Sequence, residues 1–409
     1  MYDVYEIRKD FPVLEKIIYL DSGATTQTPK PAVLAMNDFF YNYAANYGRG
    51  AHQLSIQATN AFEDAREIIA DFLNAPPEKM IMTKNTTDSI NIVANGFDFQ
   101  EGDEIITTVV EHHSNFVPWL RQKEKGVQVK VADIDVEGFV NPDQIDEMIT
   151  DKTKMIAIGH ISNVFGSIQN IEKIIQIARK NNIPILIDGA QSAGHMALDL
   201  KALDCDYFAA AGHKGLLGPQ GTGILYIKNP ETIQPTVLGG GTTSDADACS
   251  YALKSSPECF EAGTPNLPGV IGLGAAVEYL QKIGVEAVEA HDNHLARETA
   301  KRLKEINSTH GNNNTNNRNT DDNRITVYGP DNRAGLVSFN IEGLTPHTVA
   351  MRLDKYNICV RSGYHCAIPG QKALGIDGSV RASFGLYNTE EEVDTFINAV
   401  SEIADSVQR

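Results

Sequence analysis

Between about residues 60 and 230, short and nearly uninterrupted apolar runs alternate with longer amphipathic ones, a pattern few architectures accept. MIMT (80–83), EIITTVV (104–110), MIAIGHI (155–161) and IPILID (183–188) read as strands. DSINIVANGF and IEKIIQIARK read as helices among them. Strands apolar on both faces must be covered on both faces. The pattern therefore predicts an α/β fold, a mostly parallel sheet sandwiched by helices. DYFAAA and GTGILYIK read as two later strands of the same sheet. Such sheets gather ligands at the carboxyl ends of their strands. The residues expected there are Thr86 and Thr87, Glu111-His112-His113, Asn163, Asp188 to Gln191, and Gly212-His213-Lys214.

The chain has 409 residues, more than one hydrophobic core normally serves, since cores stop growing near roughly 250–300 residues. The expected division is a large domain over 19–265 and a smaller α+β domain over 266–409, with an N-terminal segment, 1–18, packing on the smaller one. NLPGVIGLGAAVEYLQKIG opens a long helical stretch that runs past residue 300. The Asn-rich run 307–323 has nothing to bury and is expected to be a disordered surface insertion. ITVYG and GLVSFNI then resume as strands.

Charge narrows the function. The net charge of −18, with no Lys/Arg cluster, argues against nucleic acid and against an anionic membrane surface. No run approaches the ~20 apolar residues of a membrane span. MYDVYEIRKDFPVLEK lacks a signal-like apolar core, so a cytoplasmic protein is expected. The five cysteines are scattered, odd in number and without CxxC spacing, which predicts free thiols. Cys359, His365 and Cys366 lack zinc-ligand spacing, so no metal site is expected.

Several residues point to one chemistry. A Schiff-base lysine needs burial and a carbonyl cofactor, and pyridoxal phosphate (PLP) needs a carboxylate at its ring nitrogen. Lys214 in GHKGLLGP and Asp188 at the end of an apolar strand would meet those needs. Thr86 and Thr87 open a helix, where free amides and hydroxyls suit a phosphate. His112 follows a strand, where its flat ring would stack on a planar cofactor and relay protons. Arg361 is a natural fork for a carboxylate, and Cys366 lies five residues beyond it in RSGYHCAIPG. Taken singly, each has a plainer reading: a cap, a surface lysine, a core histidine, a small buried thiol. GPQGTG precedes a strand rather than following one, and GVIGLG follows none, so neither is a dinucleotide loop.

LDSGATTQTP, GRGAHQLS, NTTDSIN, EHHSNFVPW, SNVFG, IDGAQSAGH, GHKGLLGPQGTGILY, FEAGTPN, RSGYHCA and VRASFGLYNTEEEVD run in order across nearly the whole chain. In these segments the chain resembles the class V aminotransferase-like PLP enzymes of fold type I. Among them it is similar to the SUF-type (type II) cysteine desulfurases and selenocysteine lyases. The resemblance implies Lys214 as the cofactor lysine and Asp188 at the pyridine nitrogen. It implies His112 on the ring face, with Gln191 and Asn163 near the phenolic oxygen and the substrate. Thr87 and His213 would contact the phosphate, and Thr264 would reach the partner's site in a homodimer. Arg361 would bind the substrate carboxylate, with His52 and Arg381 at further substrate positions, and Cys366 would accept sulfur.

The implied reaction converts L-cysteine to L-alanine and leaves a persulfide on Cys366, for a sulfur-acceptor protein serving iron–sulfur cluster or other sulfur biosynthesis. Selenocysteine lyase or cysteine-sulfinate desulfinase activity, and a non-catalytic scaffold for sulfur transfer, are the alternatives. The chain departs from the family pattern at Ala211, where a serine is usual, and at Tyr364, where a histidine is common.

Overall fold

The computed structural model describes residues 2–48, 50–310 and 324–408. The main sheet has seven strands: β1 (Met80–Thr83), β2 (Glu104–Thr108), β3 (Gln128–Ala132), β4 (Thr153–Gly159), β5 (Ile185–Asp188), β6 (Tyr207–Ala211) and β7 (Gly223–Ile227). Their order is β1-β7-β6-β5-β4-β2-β3. Neighbours from β6 to β3 run parallel, and β7 is antiparallel to both β1 and β6. The central strands are buried throughout, which is why they read as continuous apolar runs. The sequence reading misses β3. It is an edge strand whose QVKVA is exposed to half-buried except at Ala132, so it carries no apolar block.

A second sheet holds β8 (Ile325–Tyr328), β9 (Leu336–Ile341), β10 (Arg361–Gly363) and β11 (Ser379–Ser383), all antiparallel, in the order β8-β9-β11-β10.

The helices that matter below are α1 (Lys30–Asp38), α2 (Gln53–Phe72), α3 (Thr86–Gly96), α4 (Ile171–Lys180), α5 (Leu267–Ile283), α6 (Val285–His310), α7 (Ile368–Ala373) and α8 (Glu390–Asp405). In α4, Ile171, Ile174, Ile175 and Ala178 fall on one face and are buried, and the Asn170 side chain caps the first turn. Each isoleucine so buried contributes about 1.5–3 kcal/mol. The long helical stretch is two helices, because Gly284 takes φ +91 between α5 and α6. Helix α5 packs on α1 and α2. Helix α8 opens with a capping box between Thr389 and Glu392.

One core lies around the main sheet and another around the second sheet. The N-terminal segment joins them. Phe11 packs with Tyr387 and with Tyr279 of α5, and Tyr2 Oη donates to the Leu386 carbonyl at 2.8 Å.

The expected insertion lies mostly outside the described residues. Its first residues, 307–310, end helix α6 rather than a loop. Asn307 is ordered because its side-chain amide pairs with both backbone groups of Ile325 (2.8 and 2.9 Å), which fixes the start of β8. Among the described residues no helix is long and apolar enough to cross a membrane.

This topology positions the site. The parallel strands β2, β4, β5 and β6 deliver Glu111–His113, Asn163, Asp188 and His213–Lys214 to one edge of the sheet. The second sheet faces that edge, with Arg361 of β10 directly opposite Arg381 of β11. Arg381 ties the two parts together, donating to the Asn163 carbonyl (2.9 Å) and pairing with Asp21 (3.1 Å).

Candidate active site

A cavity of about 310 Å³ opens where the strand ends meet the second sheet. Thr86, Thr87, His112, Asn163, Asp188, Gln191, His213, Lys214, Arg361 and Arg381 all line it. At its floor, helix α3 starts at Asn85, whose Oδ1 accepts from Asp88 N (2.9 Å). The first backbone N–H groups of α3 therefore face the cavity without helical partners. Thr86 Oγ1 and His213 Nδ1 are buried there and also lack a partner. Gly223 of β7 passes so close that an added Cβ would lie 2.6 Å from Asn85 Cα, so only glycine lets the strand pack under this turn.

His112 is held in place by its own turn. Its Nδ1 accepts from Ser114 N (3.1 Å) and lies 3.0 Å from Ser114 Oγ, which is 2.6 Å from Thr87 Oγ1. The acceptor role puts the ring proton on Nε2. Burial, reinforced by the cationic Lys214, drives the imidazole pKa down to about 3, so the ring stays neutral.

Burial likewise lowers Lys214 to about 8, with Asp188 opposing and Arg381 and Arg361 assisting. A lysine so poised gives up its proton readily near neutral pH. Asp188 is raised by burial, against the pull of the Ala190 N–H, which its Oδ1 accepts at 2.9 Å, and of Lys214. Gln191 Nε2 donates to the Gly23 carbonyl (2.8 Å). The Arg361 side chain has no hydrogen-bond partner among the described residues, so its fork is free, whereas Arg381 is anchored and leaves Nε unpaired.

Cys366 is exposed and directly follows His365, which lines the cavity. His365 and Cys366 both take left-handed φ values, +51 and +57. The turn is pinned from below by Asn163 Nδ2, which donates to the His365 carbonyl (2.7 Å), and by His365 Nε2 against Ser379 Oγ (3.1 Å). Tyr364 donates to Asp377, so the departure at 364 braces the outside of the turn.

Three predicted residues do not line this cavity: Cys366, which follows the lining residue His365, and His52 and Thr264, which lie farther off. His52 is exposed and caps α2, accepting from Ser55 N (3.2 Å). Thr264 is exposed beside a separate cavity of about 460 Å³ that Lys84, Asn91 and Asn266 also line. Conversely, the sequence reading gave no role to Ser114 or Asp21. Both lie inside quoted motifs, but nothing local marks a serine as the tie between a histidine and a threonine.

Glu111 is the second carboxyl in the site. It is buried, accepts from Thr108 Oγ1 (2.7 Å) and Asn115 Nδ2 (2.6 Å), and is pushed up to about 7 by burial. The native state thus binds a proton that the unfolded chain releases near pH 4.5. Stability falls as pH rises from there to about 7. Glu111→Gln should raise stability by about 1–3 kcal/mol at alkaline pH and by nothing near pH 4. Denaturant unfolding at both pH values checks this.

The sequence profile described as aminotransferase class-V matches residues 18–396. The chain belongs to the class-V aminotransferase family. A probable cysteine desulfurase of Pyrococcus abyssi is 41% identical over 98% of each chain. The apo structure of a cysteine desulfurase from Thermococcus onnurineus NA1 superposes with a TM-score of 0.93 at 41% identity, over 99% of both chains. The Escherichia coli cysteine desulfurase CsdA, in an S-sulfonic acid form, superposes at 0.88 with 32% identity, over 99% of both.

Class-V aminotransferases are PLP enzymes, and the residues present suit that group. The orphaned Thr86 Oγ1 and His213 Nδ1, next to the free amides of α3, form a donor set for a phosphate. The buried Asp188 carboxyl suits a pyridine nitrogen, and the buried Lys214 amine suits a carbonyl.

Proposed function

We propose that this chain is a cysteine desulfurase that takes L-cysteine to L-alanine and passes the sulfur to Cys366. The observation that carries the reading is a single cavity. It gathers a lysine of lowered pKa, a buried carboxylate, a neutral histidine and two arginines, and the lining residue His365 is followed by an exposed thiol, Cys366. Thr86, Thr87 and His213 would hold the phosphate of PLP, Asp188 its ring nitrogen, His112 its face and Lys214 its carbonyl carbon. Gln191 and Asn163 would serve its phenolic edge and the substrate.

PLP, when bound, supplies a carbonyl for the substrate amine and an electron sink for charge left on its Cα. Arg361 binds the substrate carboxylate, with Arg381 adding positive charge beside it. Lys214 Nζ removes the Cα proton, which a lowered pKa permits at neutral pH. Asp188 would keep a proton on the ring nitrogen by setting its carboxylate charge against it. The Cys366 thiolate then attacks the substrate sulfur. The new S–S bond forms as the Cβ–S bond breaks, its electron pair stays on Cβ and is protonated, Lys214 Nζ returns a proton to Cα, and alanine leaves.

Cys366 stands on a short turn braced on several sides, so its persulfide has little reach and a sulfur-acceptor protein must come to the cavity mouth. In a homodimer, Thr264 would extend to the partner's phosphate site, which suits its exposed place outside this chain's own cavity. His52 would serve the substrate from the same kind of position. The chain divides near residue 266 into a large cofactor-binding part and a smaller part that carries the thiol.

Cys366→Ala is the direct test. It should keep the PLP absorbance near that of wild type while alanine formation from L-cysteine drops on the order of 10³-fold. Equal rates in the two proteins would overturn the reading.

A further inference from the structure

The roles proposed above for His112 and Cys366 belong to two parts of the chain far apart in sequence, yet both groups must meet one substrate. We infer that His113 is the positioning residue that sets their spacing, by clamping the Cys366 turn to the segment that carries His112; this rests on the desulfurase reading.

Both ends of His113 touch that turn. Its backbone N–H donates to the Cys366 carbonyl at 2.7 Å. Its ring Nε2 accepts from Ile368 N at 3.3 Å. The ring is turned away from its neighbour, 51° from the plane of His112 with centroids 6.4 Å apart. The pair thus divides the work, one ring facing the cavity and the other facing the thiol turn.

Left-handed φ values at two consecutive non-glycine residues are costly and persist only where surrounding contacts impose them. Asn163, Ser379 and Asp377 brace the side of the turn that bears Tyr364 and His365. On the other side, the Cys366 carbonyl and the Ile368 N–H go to His113. Gly370 in α7 supplies an independent sign of the same docking. An added Cβ there would lie 2.9 Å from the Val109 carbonyl and 3.2 Å from Val110 Cα. The first turn of α7 therefore rests directly on the strand exit that leads to His112. Ser114 extends the linkage to Thr87, so one short segment, 109–114, touches the phosphate turn, the ring face and the thiol turn.

The Ile368 bond needs an acceptor at Nε2, which separates a positioning role from a merely structural one. Glutamine places an amide oxygen at nearly that point, and leucine fills the volume with no acceptor. The experiment compares wild type, His113→Leu and His113→Gln as PLP-loaded proteins. It measures Cys366 alkylation by iodoacetamide, single-turnover alanine release, the spectral titration with L-alanine, and melting temperature.

His113→Leu should change the alkylation rate and slow the single turnover by about tenfold or more, as sub-ångström to 1 Å misplacements do. The L-alanine titration and the absorbance should stay as in wild type. His113→Gln should recover most of both rates. If His113→Leu folds poorly, Gly370→Ala disturbs the same contact from the other side and should show the same split. Unchanged alkylation and turnover in His113→Leu, or equal defects in the leucine and glutamine variants, would overturn the inference. Should wild type itself release no alanine from cysteine, the desulfurase reading fails, while the alkylation comparison still reports whether His113 holds the turn.

Discussion

Lys214→Met should abolish turnover and leave the cofactor-free protein more stable than wild type at neutral pH. The two effects share one cause. Lys214 is buried near Arg381 and Arg361, and burial outweighs the favourable Asp188, so its pKa falls from 10.5 to about 8. Since the folded value lies below the unfolded one, the native state holds its proton less tightly. The cost to folding is full below about pH 8, shrinks as pH rises toward 10.5, and is gone above it.

Methionine keeps most of the side-chain volume without the charge. The apo protein should therefore gain about 1–3 kcal/mol at pH 7 and nothing near pH 11, read from denaturant midpoints. Catalysis runs the other way. Removing the group that both holds the cofactor and moves the Cα proton should cost on the order of 10⁴-fold or more in alanine formation. A stability loss at pH 7 would show that the amine has a favourable partner, contrary to the buried, cation-crowded setting seen here.

Arg66→Met should destabilise the fold by about 3–5 kcal/mol, because it strands a buried carboxylate. Arg66 is 2% exposed in its side chain and Glu261 is 6% exposed. The guanidinium donates to both oxygens of Glu261 (2.6 and 2.9 Å), to Glu63 (2.9 Å) and to the Met80 carbonyl (2.7 Å). Glu261 also accepts from Met82 N at 2.7 Å. Burial alone would lower the arginine's pKa, but the hydrogen bonds to Glu261 and Glu63 hold it above the ordinary value.

The network joins α2, β1 and the FEAGTPN loop that carries Thr264. Its loss should free that loop as well as weaken the core. Thermal unfolding of Arg66→Met and of the double variant Arg66→Met/Glu261→Leu separates the causes. The double variant should recover much of the loss, since it removes the stranded charge along with its partner. A double variant no better than the single one would place the cost in lost packing instead.

Much of the site could be read in advance, and one rule explains why. Near-continuous apolar strands mean a parallel sheet, and a parallel sheet puts its strand exits along one edge. Lys214, Asp188, His112, Asn163 and Thr86 come together for that reason, although up to about 130 residues separate them in the chain. The strands and helices that were read correctly have strong local periodicity, such as α4 with its buried isoleucine face. The edge strand β3 has none, and Asn307 was grouped with a polar run because only its contact with Ile325 makes it structural.

The sequence by itself determined the layer architecture, the strand ends at which chemistry would gather, and the residue types able to perform it. All of these follow from patterns within a few residues, where steric preference and apolar period act. Only the tertiary structure decided which groups share a surface. It turned Arg361 free and Arg381 anchored, left His52 and Thr264 outside this chain's cavity, and set His113 against the thiol turn rather than beside His112. It also lowered Lys214 and raised Glu111 by burying them. Those outcomes depend on desolvation and on contacts between the two sheets, and neither has a local signature in the order of the residues.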